Sequence, residues 1–162
     1  MPDVAPPPVR KKLIEVSIPL EAISVASERE KDIKVGKHTS MHQWFAPRPI
    51  ATCRAMLFSQ LVDDPSAWPD RFPTEELQAG ERRRLHRVIE TLVPWEASTD
   101  EAILNAARWE IARSVAWGLG EEPPAKNKTK EILDYLQTKA PPVYDPFSGG
   151  GSIPLVPTFL GT

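Results

Sequence analysis

The sequence predicts a mainly α-helical chain that ends on a short strand and a glycine loop. Three observations carry this. Apolar residues recur at helical spacing in several stretches, most clearly from Thr99 to Trp117. Proline-rich segments separate those stretches. Near the C-terminus, Val143-Tyr144-Asp145-Pro146-Phe147-Ser148-Gly149-Gly150-Gly151-Ser152-Ile153-Pro154-Leu155 reads as a strand, an acidic turn, a triple-glycine loop and a helix start.

Composition sets the frame. The 162 residues are one domain's worth of chain, and 41% hydrophobic content is enough for a core. A net charge of −2 gives no global basic field to mark nucleic-acid binding. Cys53 is the only cysteine, which excludes an internal disulfide and a cysteine-rich zinc site. No run is long and apolar enough to span a membrane, and the N-terminus has no apolar signal core. A cytoplasmic protein with no membrane partner is expected.

Residues 1–12 read as a disordered, proline-rich tail that ends in Arg10-Lys11-Lys12. That triplet is either a phosphate contact or a solvated start. Residues 13–140 read as a helical domain. Leu13 to Leu20 is a short apolar segment, and Pro19 suits the first turn of a helix. Leu20, Ile23 and Ser27 share a face of that helix, charged residues solvate its end, and Gly36 is the expected stop. Lys37 to Pro49 is dense in recognition chemistry, with His38, His42, Trp44, Phe45 and Arg48.

A helix is expected from Ile50 to Val62, opened by Pro49 and burying Ala51, Cys53, Ala55, Leu57, Phe58 and Leu61. Residues 63–73 form a proline-punctuated loop. Thr74 with Glu75 and Glu76 starts a helix to Leu92. Arg82, Arg83, Arg84, His86 and Arg87 make its basic cluster, spread around the circumference. They are either phosphate contacts or a solvated surface. Ser98-Thr99-Asp100-Glu101 has the form of a capping box, with Ser98 as the cap. The helix that follows is expected to bury Ile103, Ala106, Ala107, Ile111, Ser114 and Val115, and to end at Gly118 and Gly120. Glu110 on it pairs with Arg113 or Arg108, or serves as an acid. A last helix, from Thr129 or Lys130 to Lys139, buries Ile132, Leu133, Tyr135 and Leu136.

The glycine loop carries the functional chemistry. Without Cβ atoms, Gly149 to Gly151 let the backbone turn tightly and a ligand come close. The next helix offers free N–H groups at its first turn. That geometry suits a nucleotide-like cofactor. A phosphate-binding P-loop needs Gly-Lys-Ser/Thr, whereas Gly151 is followed by Ser-Ile-Pro. A dinucleotide fingerprint needs an acidic residue about 20 positions on, and the sequence stops at Thr162. A glycine linker with no ligand is the remaining reading.

Asp145-Pro146-Phe147-Ser148-Gly149-Gly150-Gly151-Ser152 resembles the D-P-F-x-G-x-G-T motif of amino-group DNA methyltransferases, which bind S-adenosylmethionine. Asp145, Pro146, Phe147, Gly149 and Gly151 match it, and Ser152 stands in place of Thr. A second resemblance covers the front of the chain. Ile14-Glu15-Val16-Ser17-Ile18-Pro19-Leu20, Arg29-Glu30-Lys31, His42 to Pro49 and Val62-Asp63-Asp64-Pro65 are similar to a bacterial and archaeal family. Its members begin with a domain of unknown function and continue into an adenine-specific DNA methylase with a zinc ribbon. Trp44-Phe45 stands for the family's paired tryptophans, and Pro47-Arg48-Pro49 for its Arg-Arg-Pro.

The resemblance implies that residues 141–162 are the first strand and glycine loop of a truncated Rossmann-like methyltransferase fold. It implies a cofactor site of Asp145, Pro146, Phe147, Ser148, Gly149 and Gly151, with His42, Trp44, Arg48 and Pro49 packed near it. Trp44 and Phe45 as core residues, with His42 as a satisfied hydrogen-bonder, is the other reading. The Asp/Asn-Pro-Pro-Tyr/Phe motif that positions the amine and stacks the flipped base is missing from this sequence. So are the acidic residue for the ribose and the zinc ribbon, and Pro157 falls where the first helix should continue. No catalytic or metal-binding residue is therefore assigned. The expected function is the N-terminal fragment of a DNA adenine-N6 methyltransferase, inert by itself. Its partners would be DNA and the missing methylase part. The alternative is a stand-alone helical interaction or DNA-binding module.

Overall fold

The computed structural model describes residues 10–32, 48–146 and 151–161. Among them are helices α1 (Leu13–Val16), α2 (Leu20–Asp32), α3 (Ile50–Leu61), α4 (Glu75–Leu92), α5 (Glu101–Leu119), α6 (Thr129–Lys139) and α7 (Ser152–Leu160). Two 3₁₀ turns, Pro65–Ala67 and Trp95–Thr99, lead into α4 and α5. The mainly α expectation holds. Gly36, and with it the expected stop of α2, lies outside the described residues.

The core is organised around α3. It packs against α1, α2, α4, α5 and α7, so it is apolar around most of its circumference, as a central helix must be. Ala55 and Phe58 are fully buried, and Ile50, Ala51, Cys53 and Leu61 nearly so. The second hub is α5, packed on α3, α4, α6 and α7. Leu104, Ala107, Ile111, Ala112 and Ala116 all face inward. Sequence spacing alone draws a narrower stripe and omits Leu104, because neighbours on several sides bury more than one face.

The N-terminal segment is stitched to the chain after α3. Leu13 N–H donates to Val62 C=O at 3.0 Å, and Asp64 N–H donates to Lys11 C=O at 2.9 Å. Lys12 and Asp63 form an antiparallel bridge, reinforced by Lys12 Nζ at 2.6 Å from Asp63 Oδ1. Residues 10–12, expected as part of a disordered tail, are held in this way.

Two further expectations are corrected. No strand forms among the described residues at 143–146, and Tyr144 is 87% exposed. A strand satisfies its backbone only through a neighbouring strand, and none is described beside this segment. No Rossmann strand is shown among the described residues. Pro157 does not stop α7, which runs to Leu160 and is capped by Gly161 at φ 77°. An interior proline costs about 3 kcal/mol. Burying Val156 and Leu160, 0% and 1% exposed, returns about 1.5–3 kcal/mol each, so the helix persists. Among the described residues, no helix is long and apolar enough to cross a membrane.

The capping of α5 also differs. Asp100, not Ser98, is the cap: its Oδ1 accepts from the N–H groups of Ala102 and Ile103 at 2.9 and 3.2 Å. The Ser98 hydroxyl is used elsewhere, donating to Trp95 C=O at 2.6 Å and accepting from Arg54.

Candidate functional site

The first turn of α3 leaves N–H groups without intrahelical partners. Pro49 is its N-cap and offers no side-chain acceptor. The acceptor comes from α2: Glu30 takes the Ile50 N–H on Oε1 at 3.1 Å and the Ala51 N–H on Oε2 at 3.0 Å. A carboxylate here also meets the positive end of the helix dipole. Glu30 is 6% exposed, so α2 and α3 are joined by a buried charge-assisted contact.

The start of α7 arrives at the same place. Gly151, its N-cap, has φ 79°, a left-handed conformation that a side chain strains. Nothing lies within 4 Å of where its Cβ would stand, so the backbone is approachable. Ser152 Oγ donates to Arg48 C=O at 2.9 Å across 104 residues of sequence. Arg48, Pro49 and Gly151, separate in sequence, therefore sit together. Asp145 belongs to the same neighbourhood, because its charge and those of Glu30 and Arg48 all act on Cys53. Burial, with Glu30 and Asp145 adding to it against Arg48, pushes the Cys53 thiol up to about 11. The thiol is protonated at neutral pH and is not a nucleophile. Pro146 is exposed at a turn. His42, Trp44, Phe147, Ser148 and Gly149 lie outside the described residues.

A cleft of about 130 Å³ is lined by Ile14, Cys53, Met56, Leu57, Gln60 and Ile153. Pockets that hold a drug-sized ligand run to about 300–1,000 Å³. The cleft suits one end of a cofactor at most. Neither Asp145 nor Gly151 lines this cleft.

The basic cluster of α4 is largely committed inside the fold. Arg82 forks onto Asp64 with Nε at 2.7 Å and a second nitrogen at 2.8 Å. Arg84 bridges Glu81 and Glu110 with contacts of 2.6–2.8 Å. Glu110 also pairs with Arg113 at 2.8 Å, one of its two expected partners. Arg108 turns instead to Glu101 at 2.7 Å. His86 Nε2 lies 3.0 Å from the Ser17 hydroxyl and 3.1 Å from the Ser17 carbonyl. Arg83 and Arg87 are the exposed members of the cluster, and Arg82, Arg84 and His86 are half-buried. Burial raises the Asp64 carboxyl, but hydrogen bonds from Arg82 and Ser66 outweigh it and hold it below the usual range. Glu81 is likewise raised by burial and lowered further by Arg84 and Arg113, with a net depression.

Sequence reasoning missed Arg54 and the role of Glu30. Arg54, 1% exposed, donates to Leu92 C=O at 3.2 Å, to Pro94 C=O at 2.9 Å, and to Ser98. It fastens the end of α4 and the following turn onto α3. The available signal was a single charge inside the apolar run from Ile50 to Leu61. Glu30 carried no such signal, since it sits in the charged string from Glu28 to Asp32.

Residues 17–88 match a family described as proteins of unknown function, DUF1156. The match covers less than half of the chain. It supports the domain of unknown function expected at the front, and its description names no activity. It contains Glu30, Arg48, Pro49 and α3, and stops well before Asp145. No curated protein and no solved structure matches the chain.

Proposed function

We propose that this chain is the helical front of an S-adenosylmethionine-dependent DNA adenine-N6 methyltransferase, without catalysis of its own. The observation that carries the reading is the hydrogen bond from Ser152 Oγ to Arg48 C=O at 2.9 Å. It joins the end of the cofactor-like motif to the start of α3, two segments that the methylase resemblance expects to meet. When bound, the cofactor supplies an electrophilic methyl group. The residues here serve to bind it. Asp145 would meet the ammonium end, the bare backbone at Gly151 would admit close approach, and Arg48, held by Ser152, with Pro49 would anchor the loop. Holding and orienting the adenine amine falls to an Asp/Asn-Pro-Pro-Tyr/Phe motif that this sequence lacks.

Reading the coding DNA beyond Thr162 in all three frames tests this. An Asp/Asn-Pro-Pro-Tyr/Phe motif followed by a zinc ribbon supports it. Co-expression of the two parts then yields N6-methyladenine in host DNA. A confirmed stop codon with nothing methylase-like downstream overturns it. Micromolar S-adenosylmethionine binding by the isolated chain contradicts the expectation that the front part alone is inert.

A further inference from the structure

A groove of about 550 Å³ runs between α2 and the turn after α4. One wall is α2, from Leu20 to Glu30, and the other includes Val93, Pro94 and Trp95. Two large apolar side chains stand out from the α2 wall, Leu20 at 66% exposed and Val25 at 62%. Ala22 and Ala26 line the groove beside them. Side chains this small let a second helix lie close against α2.

The charges on this wall are ordered. Glu21, Val25 and Arg29 are spaced by four residues, which places them in one row along the helix. At about 1.5 Å per residue, Glu21 and Arg29 lie about 6 Å from Val25 along the axis, on opposite sides of it. Glu21 is exposed, and no cation stands three or four residues from it in the sequence. It forms no ion pair among the described residues. Glu30 and Glu90, which share the groove with it, are acidic too, and Arg29 is the cation of the lining. Arg29 contacts Glu96 at 2.7 Å through one nitrogen, with side chains 70% and 59% exposed. Such a pair is weak, and a guanidinium can serve two carboxylates, as Arg84 does in this chain.

A row with Glu four residues before its midpoint and Arg four residues after it is complementary to its own reverse. We propose that this face is a homodimer contact, in which the α2 helices of two copies cross antiparallel at Val25 about a two-fold axis. Glu21 of each copy then stands opposite Arg29 of the other, and the two exposed valines meet at the axis. The interface is isologous, so each contact occurs twice. A parallel pairing would instead set Glu21 against Glu21 and Arg29 against Arg29. The two-fold operation also carries Leu20, next to Glu21, to the Arg29 end of the other copy's groove. Trp95 stands at that end, because the next residue, Glu96, pairs with Arg29. An exposed leucine and an open groove thus fill one another. A net charge of −2 does little to hold two copies apart. The contact is independent of the methylase reading, since no residue of the glycine loop or of α3 takes part.

Sedimentation equilibrium of the full chain from about 1 μM to about 100 μM tests this. One helix and one groove wall per copy make a small interface, so a dimer of micromolar Kd is expected. Glu21→Arg and Arg29→Glu each turn both ion pairs into like-charge contacts, and each is expected to weaken the dimer about tenfold or more. Mixing the two variants restores association as a heterodimer, because opposite charges then face each other at both ends. The double variant Glu21→Arg/Arg29→Glu restores the homodimer for the same reason. Both positions are exposed, and circular dichroism verifies that each variant is folded. A chain that stays monomeric throughout overturns the proposal and leaves the groove to a different partner. A dimer that either single variant leaves unchanged overturns it too, as does a mixture that fails to associate. A methylase motif downstream of Thr162 bears on none of these outcomes, so the two readings fail separately.

Discussion

Replacing Glu110 by Gln removes one of two carboxylates from a buried four-membered ion network while keeping its shape. Glu110 is 1% exposed and contacts Arg84 at 2.6 and 2.8 Å and Arg113 at 2.8 Å. Breaking one side of a buried pair costs about 3–5 kcal/mol, because the other charge stays behind uncompensated. Here Glu81 remains to serve both arginines, and the Arg84 side chain is 37% exposed. Both facts argue for the lower end, about 3 kcal/mol. In a domain of this size, each kcal/mol moves Tm by about 2–4 °C, so E110Q is expected to melt about 6–12 °C lower. Glu101→Gln on the same helix is the control. The Glu101 side chain is 71% exposed although its partner Arg108 is 8% exposed, so solvent reaches the Glu101 end of the pair and its loss is expected to cost less than that of Glu110, about 1 kcal/mol. Calorimetry or urea unfolding of both variants decides. If E110Q costs no more than E101Q, water screens the network and the burial argument is wrong.

Other tests follow from the same structure. Asp64 and Glu81 have depressed carboxyl pKa values, so their stabilisation is present above the unfolded value of about 4 and is lost as pH falls toward the folded value. Urea midpoints should hold from neutral pH down to about pH 4 and drop below it, less steeply in Arg82→Met. A flat acid limb in the parent chain would refute this. Gly161 and Gly120 both have positive φ, 77° and 72°. A Cβ at Gly161 would stand 2.8 Å from Leu133 Cδ2, whereas one at Gly120 meets nothing within 4 Å. Gly161→Ala should therefore destabilise more than Gly120→Ala, whose cost is the left-handed strain of about 1–2 kcal/mol. Equal losses would count against the close approach of Gly161 to the Leu133 side chain on α6. Ser152→Ala should cost about 1 kcal/mol and speed amide exchange in α7 ahead of the other helices. Unchanged exchange would show that the Arg48 tether holds nothing.

Most helices were legible because their own residues specify them. Thr74 caps α4 as expected, accepting the Leu77 N–H at 3.3 Å, and the limits of α3, α4 and α6 fall within a residue or so of the sequence reading. What failed depends on partners distant in the chain. Ser98 and Asp100 are both good caps locally. Ser98 is excluded because Arg54, on another helix, occupies its hydroxyl. The segment at 143–146 has strand-like residues, but a strand requires a neighbour that its own sequence cannot supply. In the candidate site, sequence pattern marked Gly151, Arg48 and Pro49. It carried Glu30 only within Arg29-Glu30-Lys31 and did not show that its carboxylate holds the first turn of α3. A charged residue in a charged string looks solvated until another helix end is placed against it.

The stitch between the N-terminal segment and the end of α3 bears on what counts as a unit of inheritance here. The block recognisable in other sequences, residues 17–88, begins after Leu13, which is fully buried. It ends inside α4, before Ile89 and Leu92, which are also fully buried. The Asp63 N–H it contains is received by Ser114 Oγ at 3.1 Å, and its Arg84 by Glu110, both on α5. The heritable block and the cooperative folding unit therefore have different edges. In this chain the block is completed by α5, which supplies Ser114 and Glu110 from outside it.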